Sequence, residues 1–205
     1  MLLAGDKHLT EPETRASLIA RLNLPSSEAA WDEFTAIYRP LILRVAIARG
    51  LQHADAEDLA QDTLAIVGRS IGAFDPNGGG SFRAWLRTIT RNLVINHLSR
   101  RREPLGSGSS GVQAMLSEHP APDSETATLF DLEYRRLLFQ RAAEVVRPQF
   151  SQTTWAAFKR TAIDRWSVGE TAQHLGKSEG AIRMARSRVV TRLREEVQRQ
   201  QQRLS

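Results

Sequence analysis

Apolar residues recur at helical spacing along most of the chain, and this periodicity restricts the fold more than any other feature. Trp31, Phe34, Tyr38 and Leu41 follow one another every three or four residues, which predicts an amphipathic helix over about residues 27–50. No stretch shows sustained apolar and polar alternation rich in β-branched residues, as a half-buried strand would. The pattern therefore predicts an all-α protein.

Two more helices are predicted in the first half of the chain. One covers about residues 55–71. Its inward face is expected to carry Leu59, Thr63, Ile66 and Val67.

A loop is predicted over residues 74–80, because a proline and three glycines cannot be held in a helix interior. Ser81 then caps the third helix, which repeats Phe82, Trp85 and Leu86 on its core side. Since Trp85 falls on this apolar stripe, we expect it to pack in the core.

Residues 104–128 are rich in Gly, Ser, Pro and Ala, which is typical of a linker. The formal charges in this segment are all negative, so the predicted linker is acidic. It separates two predicted domains, residues 1–103 and residues 129–205.

The second predicted domain holds helices near 129–146 and 153–164, followed by a compact helical pair. Ser167 and Glu170 have the spacing of a capping box, and a glycine at position 176 marks the end of the first helix of the pair. The long last helix is expected to bury Ile182, Ala185, Val189, Leu193 and Val197. Two capped helices around a short turn predict a helix-turn-helix.

The 205 residues carry a net charge of +5 and include no cysteine. The lack of cysteine excludes disulfides and thiolate zinc sites, so we expect neither a metal nor a cofactor. Neither an apolar segment of signal-peptide length at the start nor a run long enough to cross a membrane is present. The sequence therefore predicts a soluble, cytoplasmic protein that does not insert into a membrane.

Two neighbouring segments have opposite charge. Residues 53–64 hold four carboxylates and no Lys or Arg, whereas residues 81–102 hold six arginines and no acid. Solvated helix faces would explain both, but a merely soluble helix normally interleaves opposite charges. An acidic face suits a basic protein surface and a basic helix suits phosphates, so the chain is predicted to connect a protein with a nucleic acid.

Three motifs, in this order along the chain, resemble those of bacterial sigma-70 family factors of the extracytoplasmic-function group. Residues 55–64 resemble region 2.2. Residues 81–92 resemble the Phe-x-x-Trp-Leu-x-x-Ile-x-x-Asn signature of regions 2.3 and 2.4, and residues 180–188 resemble the Gly-Thr-Val-x-Ser-Arg-x-x-Arg run of region 4.2.

The resemblance implies a promoter-specificity subunit without catalytic chemistry. Its implied partners are promoter DNA and core RNA polymerase, contacted through the β′ clamp helices and the β subunit. The sequence does not show whether an anti-sigma factor is a further partner. The implied polymerase-binding residues are Asp55, Glu57, Asp58, Gln61 and Asp62. The implied −10 residues are Phe74, Asn77, Ser81, Arg83, Arg87, Thr88, Arg91, Asn92 and Asn96. The implied −35 residues are Lys177, Ser178, Arg183, Met184, Ser187 and Arg188.

Two other classes fit parts of the sequence. A free-standing helix-turn-helix regulator would use the basic helices but has no need of the acidic one. An enzyme acting on DNA, such as a recombinase, would need a nucleophile or a metal-binding carboxylate set, and the acidic residues here lie along one helix instead of converging from several elements.

Overall fold

The computed structural model describes residues 18–24, 27–74, 81–102 and 124–204, without the side chains of 100–102. All regular secondary structure in these ranges is helical, which confirms the all-α prediction. Asn77, the rest of the predicted loop beyond Phe74, and most of the predicted linker lie outside the described residues.

Four helices build the first part of the chain: α1 (Leu18–Leu22), α2 (Glu28–Ala48), α3 (His53–Ser70) and α4 (Phe82–Arg102). A 3₁₀ turn, Ile71–Ala73, extends α3. Helices α2 and α3 begin and end within two residues of the predicted bounds, whereas α1 was not predicted. The inward face predicted for α3 is confirmed, because the side chains of Leu59, Thr63, Ile66 and Val67 are buried.

An aromatic cluster joins α2 to α4. The ring of Phe34 lies 4.6 Å from that of Tyr38 and 5.7 Å from that of Phe82, measured between centroids. Phe74 meets Phe82 edge-on at 5.6 Å and lies over Trp85 at 5.4 Å. Trp85 therefore packs against the core, as predicted, and Phe74 holds the start of the predicted loop against the same cluster.

Helix α5 (Ser124–Val146) begins inside the segment predicted as linker. Glu125 stands in its first turn, where a carboxylate is favoured by the helix dipole, and it pairs with Arg49, the residue that caps the end of α2. The helix shares the core of α1–α4 through Phe130, Tyr134, Leu137 and Leu138. The first helix of the second predicted domain thus packs against the helices of the first predicted domain. The limits of the two domains stay a prediction.

Three helices build the last part of the described chain. A 3₁₀ turn, Arg147–Gln149, leads to α6 (Gln152–Phe158). A single π-helical turn, Lys159–Ile163, continues it to the predicted end of the second helix. Helices α7 (Val168–Leu175) and α8 (Glu179–Leu204) complete the fold. Residues from α6, α7 and α8 form a small core: Ala157, Ala172, Ile182 and Ala185.

The predicted caps set the turn between α7 and α8. The Ser167 hydroxyl accepts from the Glu170 amide at 3.1 Å, and the Glu170 carboxylate accepts from the Ser167 amide at 2.8 Å. The hydrogen bonds from Ser167 hold the pKa of Glu170 below its usual value. Gly176 ends α7 with φ +59°, and Ser178 caps α8 by accepting from the Ala181 amide at 3.2 Å. The helix-turn-helix prediction is confirmed.

The turn makes a prediction about stability. Gly176→Ala places a side chain at positive φ, so we expect it to lower the free energy of unfolding by about 1–2 kcal/mol, although no atom lies within 4 Å of the added methyl group. Gly180→Ala has equal space inside α8 and should raise that free energy by up to about 1 kcal/mol. Urea denaturation of the two variants measures both, and equal effects would contradict the role given to Gly176.

Candidate functional site

The outer face of α3 carries the predicted polymerase-binding residues. Asp58, Gln61 and Asp62 are exposed, and Asp55 and Glu57 are partly exposed. The opposite face of the helix is buried through Ala56, Leu59, Ala60 and Thr63. The structure therefore brings all five predicted residues to one side of one helix, which a partner can approach from solvent.

Two of these carboxylates already have partners within the chain. Asp55 lies 3.4 Å from the Nε2 atom of His97 on α4. Glu57 pairs with Arg39 of α2 and lies 4.0 Å from the ring of His53.

The other two carboxylates are more open. Within the described residues, Asp58 and Asp62 form no ion pair, so their charge is free to meet a basic partner.

A groove of about 260 Å³ runs between α3 and α4 beside these two carboxylates. Asp58 and Asp62 form one wall, and Asn96 and His97 of α4 form the other. Asn96 was assigned to the −10 set, yet it lies on the acidic side of the molecule. The structure thus brings Asn96 together with the predicted polymerase-binding residues.

Arg83 and Arg87 lie on another face of α4 and point to α5. The Arg87 guanidinium donates to Asp131 at 2.8 Å, and the Nε atom of Arg83 lies 4.0 Å from the same carboxylate. The Arg83 guanidinium also sits over the ring of Tyr134, 5.3 Å from its centroid. Both arginines are therefore engaged within the chain.

The remaining predicted −10 residues of α4 differ in exposure. Asn92 is buried, with only 6% of its surface exposed, and accepts a hydrogen bond from Arg91 at 3.3 Å. Thr88 is partly buried and donates to the Ala84 carbonyl at 3.0 Å. Ser81 is exposed and caps the helix, accepting from the Ala84 amide at 3.2 Å. In this arrangement of helices, little of the Asn92 side chain is accessible from solvent, and its role in −10 binding stays a prediction.

The predicted −35 residues are all exposed and lie on the turn and first half of α8. Met184 is the most prominent apolar side chain there, with 62% of its surface exposed. Arg183 pairs with Glu179 one turn earlier at 2.6 Å, so it must exchange this partner to reach a base.

A groove of about 300 Å³ lies beside this surface, between the starts of α6 and α8. Lys177 and Arg188 line it together with three hydroxyl groups that the sequence interpretation did not select: Ser151, Thr153 and Thr154. Hydroxyls and cations together suit a phosphate backbone. The sequence signal for these hydroxyl groups was the Ser-x-x-Thr cap of α6. In this cap the Ser151 hydroxyl accepts a hydrogen bond from the Thr154 amide.

Within the described ranges, no three side chains of the ligand types His, Cys, Asp or Glu are grouped to hold a metal ion. None of the helices described is long and apolar enough to cross a membrane.

Comparison with known proteins finds a family match in the first half of the chain. Residues 35–103, which include α3 and α4, match the family described as Sigma-70 region 2. The extracytoplasmic-function sigma factor BldN of Streptomyces coelicolor is 34% identical over 80% of this chain and 57% of its own length. SigF of Caulobacter vibrioides is 28% identical over 93% of this chain and 98% of its own length.

Residues 35–103 belong to the sigma-70 family, and the chain is similar to its extracytoplasmic-function members.

Two further similarities complete the comparison. The extracytoplasmic-function sigma factor SigE of Mycolicibacterium smegmatis is 27% identical over 87% of this chain and 66% of its own length. The chain thus spans 57% of BldN and 66% of SigE. The solved structure of the sigma factor RpoE with the anti-sigma factor NepR from Bartonella quintana matches with 25% identity, a TM-score of 0.31, and coverage of 82% of this chain and 96% of that one.

The sequence interpretation missed a second surface of the chain. An open groove of about 590 Å³ lies between the end of α5 and α6, lined by Phe139, Ala143 and Trp155. Phe139 is 39% exposed and Val145, on the same helix, is 44% exposed. The sequence signal for this surface was the presence of apolar residues outside the buried stripe of α5. A helix that packs on only one core does not need apolar residues on its other faces.

The helix-turn-helix surface predicts two kinds of DNA contact. Arg183 lies in the first turns of α8, where such proteins contact bases, and a bidentate arginine contributes about 1–3 kcal/mol of discrimination. Arg183→Ala should relax the preference at one or two −35 base pairs. Lys177→Ala should weaken binding to all DNA sequences alike. It should also reduce by about one the slope of the logarithm of the binding constant against the logarithm of the salt concentration. Selection from a promoter library measures both.

Arg194→Ala provides the matched control, since Arg194 is an exposed arginine farther along α8. We expect it to preserve the base preference. If Arg183→Ala also leaves the preference profile unchanged, Arg183 contacts only phosphate or solvent.

Proposed function

We propose that this chain binds core RNA polymerase and directs it to promoters by recognising −10 and −35 elements. The chain catalyses no reaction in this proposal. It supplies the polymerase with sequence specificity, and it would act in the cytoplasm because core polymerase works there.

The observation that carries the proposal is the separation of opposite charges on one helical bundle. Asp58 and Asp62 face solvent on α3, while the arginines Arg83 and Arg87 lie on another face of α4. Both helices are fixed to α2 through the same apolar core. A bundle built in this way has an acidic face that suits a basic protein surface and a separate face whose arginines suit an anionic polymer once they exchange Asp131 for a phosphate, as an adaptor between polymerase and DNA requires.

Each surface has one role in the proposal. The acidic face of α3 meets the β′ clamp helices, and α4 with the segment after Phe74 meets the −10 element. The turn and first half of α8 meet the −35 element. The apolar groove with Phe139 and Trp155 is a suitable site for the β subunit, because a polymerase contact there would bury side chains that are exposed in the free protein.

The most direct functional test is promoter-dependent runoff transcription with purified core polymerase. Promoters upstream of genes that depend on this protein serve as templates, and the same templates with scrambled −35 elements serve as controls. Transcripts that require both the protein and the intact promoter support the proposal. Sequence-specific DNA binding without any stimulation of core polymerase would instead support a free-standing helix-turn-helix regulator.

The acidic face gives a sharper prediction. Asp58→Lys combined with Asp62→Lys should weaken binding to core polymerase at least about ten-fold, because like charges across an interface cost several kcal/mol. Both side chains are exposed and without ion pairs in the described ranges, so the fold should be kept. Biolayer interferometry with immobilised core polymerase measures the affinity.

Glu28→Lys combined with Asp32→Lys is the matched control. These two carboxylates are exposed on α2, away from the acidic face of α3. Their replacement by lysine gives the same change in net charge as the Asp58→Lys, Asp62→Lys variant. The control should bind polymerase as the natural protein does. Equal affinities for the two double variants would remove the assignment of the α3 surface.

A further inference from the structure

The groove between α6 and α8 contains a hydroxyl group that the fold leaves unused. Ser151 and Thr154 bond to each other, because the Ser151 hydroxyl accepts from the Thr154 amide at 3.3 Å and donates to the Thr154 hydroxyl at 3.0 Å. Thr153 lines the same groove and is exposed. Its hydroxyl forms no hydrogen bond with any described residue.

Two cations line the groove together with Thr153. Lys177 stands in the turn before α8, and Arg188 lies farther along that helix. Both side chains are exposed, and neither forms an ion pair with a carboxylate among the described residues. The described residues that line the groove include no Asp or Glu. The free hydroxyl group therefore lies in a positively charged site.

We propose that Thr153 is a phosphorylation site and that its phosphate group closes the −35 surface to DNA. A protein kinase with ATP supplies the group. The Oγ1 atom of Thr153 forms a bond to the γ-phosphorus, the bond from that phosphorus to the β-phosphate oxygen breaks, ADP leaves, and the hydroxyl proton passes to the catalytic aspartate of the kinase. The inference rests on the proposed function, because the DNA that it excludes is the −35 element.

The backbone before Thr153 suits a kinase, which binds the residues around its target hydroxyl in an extended form. Phe150 has φ −123° and ψ 147°, and Ser151 has φ −62° and ψ 155°, so both are extended. Thr153 lies in the first turn of α6, and a helix end opens at little cost in free energy. Ser187 of the same surface lies inside α8, where a kinase would have to open a long helix.

The phosphate group binds the two cations that −35 DNA needs. A phosphothreonine carries about 1.5 to 2 negative charges and three acceptor oxygens, so it forms charge-assisted hydrogen bonds with nearby Lys and Arg side chains. Lys177 and Arg188 are then unavailable to DNA phosphates, and the added charge repels the DNA. The acidic face of α3 does not line this groove, so binding to core polymerase should be kept.

Site-specific incorporation of phosphothreonine at position 153 of the full chain tests the block. Binding to a fluorescent DNA duplex of mixed sequence, measured by anisotropy, should weaken at least about ten-fold relative to the unmodified protein. The slope of the logarithm of the binding constant against the logarithm of the salt concentration should fall by about two, because two cations no longer meet DNA phosphates.

Phosphothreonine at position 128 is the matched control. Thr128 is exposed on α5 and adds the same charge away from the groove, so this protein should bind the duplex as the unmodified protein does. Equal DNA affinities for the two phosphorylated proteins would overturn the claim that the phosphate group at position 153 closes the surface.

Phosphorus NMR shows whether the two cations hold the phosphate group. Neighbouring cations favour its doubly charged form and so lower the pKa of its second ionisation. Lys177→Ala combined with Arg188→Ala should therefore raise this pKa in the protein phosphorylated at position 153. An equal pKa with and without the two cations would overturn the binding site.

Protein isolated from its own cells decides whether the site is used. Mass spectrometry of the peptide that contains residues 151–154 should find phosphate on Thr153 in growing cells or in stationary cells. Absence of this phosphate under both conditions would overturn the proposal.

Runoff transcription with the unmodified protein is measured in parallel. Its absence would contradict the proposed function. The phosphorus NMR and the mass spectrometry report on Thr153 in either case, so the two failures are distinguishable.

Discussion

The packing of α2 against α4 through the aromatic rings of Phe34, Tyr38 and Phe82 is the contact on which the other surfaces depend. These rings are buried and meet at centroid distances between 4.6 and 5.8 Å. They fix the rotation of α4 about its axis, so that Asn96 faces the acidic groove while Arg87 faces α5. A rotation of α4 by half a turn would bring the arginines to the carboxylates of α3 and neutralise both surfaces.

Most of the helices could be predicted because apolar periodicity and caps are local signals. Helix α2 continues through Pro40 although proline normally disrupts a helix interior, because the stripe of Phe34, Tyr38 and Leu41 is buried on both sides of it. The start of α5 at Ser124 was not predictable in the same way. Its first turns contain Thr and Ala beside a Gly- and Pro-rich stretch, and it is stabilised by partners distant in sequence, such as Arg44 with Glu133.

The types of functional residues could be predicted, but their environment could not. The arginines at positions 83 and 87 lacked acidic neighbours within α4, which indicated free cations, yet Asp131 supplies a carboxylate from a helix 44 positions later in the chain. Asp55 likewise finds His97 on another helix. Asn92 was selected as a DNA contact by its place in a motif, and it is buried. Spacing along one helix shows which side chains share a face but not which element covers that face.

Site-specific photocrosslinking tests the central claim, that one chain connects polymerase to promoter DNA through separate faces. A photoreactive amino acid is placed at Gln61 on the acidic face, or at Met184 on α8, both of which are exposed. In a complex of the protein, core polymerase and a promoter, the probe at position 61 should crosslink to the β′ subunit and the probe at position 184 to DNA near the −35 element. A probe at position 184 that crosslinks to DNA equally well without polymerase, together with no polymerase crosslink from position 61, would contradict this account.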